Sequence, residues 1–204
     1  MEIEKKIAEF IGIMLGDGNI GIYKIKRGKL HQLKVTLDSR NKEYTDYVKD
    51  LMKEVIGIEP KIFYKKKENA VDIKIYRKEG VIYAIKDLGL KISPKWENAK
   101  IPDKYCKGKL GLLVLKGLFD TDGSITIFRN NGIIYPRIEI RISPSPMQQQ
   151  FIDILNENGI RYTIQKLERG KIKLRISGEK ELKKWFDKIG SSNQLYKERA
   201  KQFL

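Results

Sequence analysis

The chain has almost none of the residues that build disulfide, zinc or histidine-centred sites. Its 204 residues include one cysteine, Cys106, and one histidine, His31. A single cysteine excludes an internal disulfide and a CxxC zinc pair. A single histidine argues against a His-ligated metal and against a Ser-His-Asp triad. Any metal site must therefore be made of oxygen ligands, which favours Mg²⁺ or another hard divalent cation. No apolar run approaches the roughly 18–20 residues of a membrane span. The first residues, MEIEKKIAEFIG, carry charges and lack a signal-peptide pattern. The expected location is the cytoplasm, with no membrane partner.

Negative charge is also scarce relative to positive. Forty-two Lys and Arg face 26 Asp and Glu, for a net charge of +16. Such an excess repels itself in a folded protein unless an acidic partner offsets it. Nucleic acid fits best, and an anionic membrane surface comes second. Lys and Glu enrichment also accompanies life at high temperature, but that explains charge content, not a surplus of one sign. At 41% apolar residues the chain can build a core, and wholesale disorder is not expected.

The chain repeats itself. Residues 7–18 read IAEFIGIMLGDG and residues 112–123 read LLVLKGLFDTDG. Each is an apolar helical stretch ending in Asp-Gly, with a glycine five residues before the Asp. Asp17 and Asp122 stand 105 positions apart, about half the chain. Similar elements follow each copy. Hairpins are expected over 20–25 with 33–37 and over 125–128 with 133–142. A helix then carries Tyr44, Val48, Leu51, Met52 and Val55 on its apolar stripe, or Phe151, Ile152, Ile154 and Leu155 in the second copy. Second hairpins follow at 60–64 with 71–76 and at 161–167 with 171–176. Closing helices at 81–88 and 182–189 end at Gly89 and Gly190, and each leads into a Lys-rich tail. The expected fold is α+β, a tandem pseudo-twofold repeat of α-β-β-α-β-β-α with two antiparallel saddle sheets. The halves divide at Pro102, as 1–101 and 102–204.

Gly12 and Gly16 share one face of the first repeated helix, and Gly117 and Thr121 share one face of the second. Glycine inside a helix costs about 1 kcal/mol relative to alanine, but it lets two backbones come close. If the two helices pack in parallel, Asp17 and Asp122 meet at their C-terminal ends. Two carboxylates there repel each other, and the helix dipoles add to the negative potential. A divalent cation bound by Asp17, Asp122 and the carbonyls of Gly16 and Thr121 would resolve the conflict. A single Asp-Gly pair is usually just a helix stop; two copies behind glycine-faced helices favour a metal site.

These segments resemble the LAGLIDADG homing endonucleases. The motif copies are FIGIMLGDG, Phe10–Gly18, and LKGLFDTDG, Leu115–Gly123. The first departs at its sixth position, where Leu15 replaces the usual Asp. The metal-binding Asp of the motif falls on Asp17 and Asp122. Two motifs in one chain imply a monomer that cuts asymmetric double-stranded DNA at a long site, with metal, leaving 3′ overhangs. The resemblance implies a polar residue after the first hairpin of each half, for which Asp38 and Ser143 are candidates. It also implies a late lysine: Lys95 or Lys100 in the first half and Lys197 in the second. Lys95 lies 78 residues after Asp17, and Lys197 lies 75 after Asp122.

DNA contacts are expected from alternate strand residues and hairpin turns. Candidates are Tyr23, Lys26, Arg27, Lys34, Lys65 and Lys74 in the first half. In the second they are Arg129, Asn131, Arg137, Arg141, Gln165 and Arg175. Two other functions compete. One is a binding protein that has lost cleavage, such as an RNA maturase or regulator; retention of both Asp17 and Asp122 disfavours it. The other is an intein-embedded nuclease; a chain beginning at Met1 and ending KQFL shows no splicing junction residues.

Overall fold

The fold is seen in a computed structural model that describes residues 2–65, 68–130 and 132–204. The first half runs α1 (Glu2–Leu15), β1 (Gly18–Ile25), β2 (Gly28–Asp38), α2 (Lys42–Ile56), β3 (Lys61–Lys65), β4 (Ala70–Ile75) and α3 (Lys78–Lys86). The second runs α4 (Gly108–Asp122), β5 (Gly123–Asn130), β6 (Ile133–Ile142), α5 (Pro146–Glu157), β7 (Thr163–Lys166), β8 (Ile172–Ser177) and α6 (Glu179–Lys188). A further helix, α7 (Gln194–Lys201), ends the second half. The two Lys-rich tails therefore differ. The first stays irregular around Ser93 and Pro94, while the second gains a helix because Asn193 accepts the Leu195 amide at 3.1 Å as an N-cap.

Each half forms one antiparallel sheet, ordered β1-β2-β4-β3 and β5-β6-β8-β7. The registers match: Gly18 pairs with Val35, and Gly123 with Ile140. Period-two alternation puts Leu33, Val35, Leu37, Val71, Ile73 and Ile75 on the buried face of the first sheet. Ile138, Ile140, Ile142, Leu174 and Ile176 do the same in the second. These faces pack on helices and join one core that runs through both halves. The opposite faces stay open.

The centre of that core is the contact between α1 and α4. A methyl group on Gly12 would overlap the Val114 carbonyl and sit 2.9 Å from the Leu118 amide nitrogen. One on Gly117 would overlap the Glu9 carbonyl and sit 2.8 Å from the Ile13 nitrogen. Gly16 faces Thr121 one turn further on. The contacts advance together along both helices, so the helices are parallel and related by a pseudo-twofold axis. All four residues expected at the helix interface are in it.

Gly12→Ala and Gly117→Ala set two effects against each other. Helix propensity alone would stabilise each variant by about 1 kcal/mol. Overlap with backbone atoms that cannot move aside should cost about 3 kcal/mol or more. Net destabilisation of both variants in urea unfolding is expected; a gain in stability would mean that the backbones are not this close.

Candidate active site

Parallel packing brings the ends of α1 and α4 to one place. Asp17 leaves α1 as the chain turns into β1, and Asp122 is the last residue of α4. The Asp122 carboxylate lies against Gly16. Its outer side is open to solvent, and protein crowds the rest. Among the described residues neither carboxylate accepts a hydrogen bond. Burial raises the pKa of Asp17, partly offset by the charge of Lys95. Burial, and then the Asp17 charge, pushes Asp122 up to about 6 despite Lys95.

Lys95 comes from the irregular tail of the first half. That tail is fastened to β1, where the Ile20 amide donates to Ser93 Oγ at 3.2 Å and the Ser93 amide donates to the Ile20 carbonyl at 2.9 Å. Lys95 Nζ donates to the carbonyls of Met14, Leu15 and Gly16 at 2.6, 2.8 and 2.7 Å. It is a cation on a helix C-terminus, where the dipole favours it. Burial lowers its pKa to about 8, against the pull of Asp122 and Asp17. Lys95, Trp96, Asp122, Arg141 and Ser143 line a hollow of about 270 Å³. Trp96 is 63% exposed, and Lys171 from the other half lies 5.6 Å above its ring. Nothing in the sequence had singled out Trp96.

Several expected positions lie elsewhere. Lys100 is exposed and pairs with Asp103 at 2.8 Å, away from the hollow. Lys197 lies on the outer side of α7, beside Phe186, Glu198 and Lys201. Its neighbour Tyr196 points inward instead, and donates to the Gly123 carbonyl at 2.5 Å. Burial pushes the Tyr196 hydroxyl up to about 12. Thus Tyr196, not Lys197, reaches the end of α4 as Lys95 reaches the end of α1. Tyr196, Ala200 and Phe203 are spaced as one helical face, a signal visible only if the tail is read as a helix. Asp38 and Ser143 do occupy equivalent places, three residues past Val35 and Ile140. Ser143 lines the hollow, whereas Asp38 is held by the Arg40 guanidinium, which lowers its pKa to about 2.

Of the expected DNA contacts, Tyr23, Lys34, Lys65, Lys74, Arg137, Arg141, Gln165 and Arg175 fall on the open sheet faces. Lys26 and Arg27 form the β1–β2 turn. Arg129 alternates to the other face, in step with Ile125 and Ile127. Asn131 lies outside the described residues.

The sixth motif position also finds its explanation. Asp120 is buried and accepts bonds from Ser191 Oγ and, at 2.6 Å, from the Ser192 amide. It fixes the turn that leads into α7 and Tyr196. Beside it Glu9 accepts from Tyr47 Oη at 2.7 Å and Ser192 Oγ at 2.6 Å, and pairs with Lys116 at 2.9 Å. Asn41 Nδ2 donates to Asn193 Oδ1 at 2.8 Å. These bonds join the two halves. In the first half, Leu15 takes the place of Asp120 and is buried, and the tail is held by Ser93 and Lys95.

The donor set suits a hard divalent ion. His31 lies on β2, and Cys106 donates to the Ile101 carbonyl. Among the described residues no three His, Cys, Asp or Glu cluster together. Two carboxylates without hydrogen-bond partners, with water and substrate phosphate completing the shell, are the pattern of Mg²⁺-type sites. The Gly16 carbonyl, expected as a ligand, is engaged by Lys95. Thr121, whose carbonyl was the other expected ligand, faces Gly16 across the helix contact, with its hydroxyl donating to the Gly117 and Leu118 carbonyls.

Comparison with known proteins agrees with this architecture. Residues 110–190 match the family model of the LAGLIDADG-like domain. No curated protein sequence matches the chain. Among solved structures, I-DmoI in complex with DNA and Ca aligns with a TM-score of 0.71 at 17% identity, over 99% of this chain and 100% of that one. I-DmoI with DNA and Mn aligns at 0.68 and 19%, over 93% and 98%. The I-LtrWI LAGLIDADG homing endonuclease bound to target DNA aligns at 0.63 and 14%, over 98% and 89%. The chain has the single-chain, two-motif LAGLIDADG fold, as the repeated motifs had implied.

Asp120 leads to a pH prediction. Burial pushes its pKa up to about 7 in the folded chain, against about 3.9 when unfolded. A raised carboxyl pKa favours folding while protonated, and that contribution is lost as pH rises through about 7. Between about pH 5 and about pH 8 the wild type should lose roughly 2–3 kcal/mol relative to Asp120→Asn. Urea unfolding in chelator measures this; parallel pH profiles for the two proteins would refute it.

Proposed function

We propose that the chain is a site-specific, divalent-metal-dependent DNA endonuclease that acts as a monomer and hydrolyses both strands of a long asymmetric duplex site. The observation that carries this reading is the pair Asp17 and Asp122, brought together at the ends of parallel helices without hydrogen-bond partners among the described residues. The net charge of +16 and two open sheet faces suit a duplex polyanion. The complexes of I-DmoI and I-LtrWI with DNA support the same reading.

Asp17 and Asp122 would hold the cation, which when bound supplies positive charge to the scissile phosphate and favours ionisation of water. Lys95 places a further positive charge beside both carboxylates and the hollow, where charge builds up as a phosphodiester is cleaved. Its three donors are engaged by helix carbonyls, so it acts there as a fixed charge. Tyr196 holds the backbone at Gly123 and thereby orients Asp122 next to it. Ser143 and Arg141 border the same hollow and are placed to meet the phosphate backbone.

The test is cleavage of a randomised duplex library with Mg²⁺ by the wild type, Asp17→Asn and Asp122→Asn. The wild type should yield one enriched cut site, and each variant should lose cutting by roughly 100-fold or more. Tight, salt-sensitive DNA or RNA binding without cutting under any divalent metal would replace the nuclease with a binding protein.

A further inference from the structure

The open sheet faces carry acids where an acid opposes binding of a polyanion. Asp72 lies mid-strand on β4 and is only 4% exposed. It accepts from Thr36 Oγ1 at 2.8 Å and pairs with Lys74 Nζ at 2.9 Å. Burial raises its pKa, but the bonds from Lys74 and Thr36 outweigh this and keep it ionised. The same ammonium lies 5.0 Å above the Phe63 ring. In the other sheet Glu139 accepts from Arg175 Nε at 2.9 Å and lies 3.7 Å from Arg137 Nη1.

Each of these arginines has a second brace. Arg175 Nη2 donates to Gln165 Oε1 at 2.5 Å. Arg137 stacks 4.1 Å above the Phe128 ring, and its Nε donates to Ser177 Oγ at 3.2 Å. Lys26 and Arg27, at the tip of the first hairpin, are exposed and make no ion pair among the described residues. The cations on the DNA-facing side therefore fall into two sorts, braced and loose.

We propose that the braced cations Lys74, Arg137 and Arg175 read bases, that Asp72 and Glu139 hold them in reading position, and that the loose cations Lys26 and Arg27 contact phosphate. This rests on the DNA-binding reading given above. A base edge presents acceptors at fixed places, so a head group held in place before contact discriminates better than one that must first be ordered. In Arg175 the Nε–H and one Nη2–H are engaged internally, while Nη1 makes no bond among the described residues. An outer Nη edge of this kind matches the O6 and N7 acceptors of guanine. Phosphates ring the duplex, so a loose side chain finds one without prior positioning, and its contribution carries no sequence information. Glu139 and Asp72 weaken attraction to any duplex, and fixed readers are what their presence secures.

The full chain, in chelator so that binding is read without cutting, is used to select duplexes from a randomised pool. Affinity for the selected site and for a scrambled duplex is then measured across salt concentrations. Glu139→Gln and Asp72→Asn should bind scrambled DNA roughly 3- to 10-fold more tightly and select a blurred consensus confined to one half-site each. Arg175→Lys, which keeps a positive charge beside Glu139 but loses the guanidinium edge, should alter the preference at one or two adjacent base pairs with scrambled-DNA affinity unchanged. Arg27→Gln should weaken both duplexes alike, lower the salt slope by about one and leave the consensus intact. An unchanged consensus in Glu139→Gln and Arg175→Lys, or one erased by Arg27→Gln, would overturn the assignment. Wild-type chain that binds no duplex would sink the DNA-binding reading itself, a result distinct from either.

Discussion

The two glycine-faced helices, α1 and α4, cross so closely that backbone meets backbone, with Gly12 against Val114 and Gly117 against Glu9. Both sheets take their positions from these helices, because β1 starts at Gly18 and β5 at Gly123, directly after the two motif carboxylates. The contact thus sets three things together: the join between the halves, the meeting of Asp17 and Asp122, and the placing of two open faces on one molecule. Glycine is unfavourable inside an isolated helix, and tertiary packing at this crossing reverses the preference.

The halves share geometry and differ in chemistry. The end of α1 is covered by a cation, Lys95, on three carbonyls. The end of α4 is met by a neutral phenol, Tyr196, on the Gly123 carbonyl. Each choice is linked to the sixth motif position. Where that residue is Leu15, it joins the core and the following tail is held by Ser93 on β1. Where it is Asp120, Ser191 and Ser192 bind it and launch α7. A pseudo-symmetric scaffold therefore surrounds the carboxylate pair with unlike neighbours.

Electrostatics act on two scales. The surplus of positive charge draws a polyanion from a distance and is screened by salt. At short range the same cations are sorted by their partners. Asp72 and Glu139 pin some of them, aromatic rings support others, and the hairpin tip stays loose. Long-range attraction and fixed short-range geometry come from one set of residue types in two structural settings.

The repeat, the seven-element order shared by both halves, the helix-interface glycines and the motif carboxylates were legible in the amino-acid sequence, whereas α7 was not. The legible features rest on periodicity and on local rules for glycine, turns and caps, which act over a few residues. A late lysine was expected from the family resemblance, with Lys95 and Lys100 equally admissible until the anchoring of the tail on β1 brought Lys95 to the carboxylates and left Lys100 paired with Asp103. Lys197 was expected because the resemblance implied a late lysine, whereas the phase of α7 turned its neighbour Tyr196 inward instead. Arg129 and Arg137 looked alike in sequence, and strand register put them on opposite faces. Which side chain points at a distant partner depends on register, helix phase and the anchoring of irregular segments; those are set by contacts between residues far apart in the chain, so only the tertiary structure decides them.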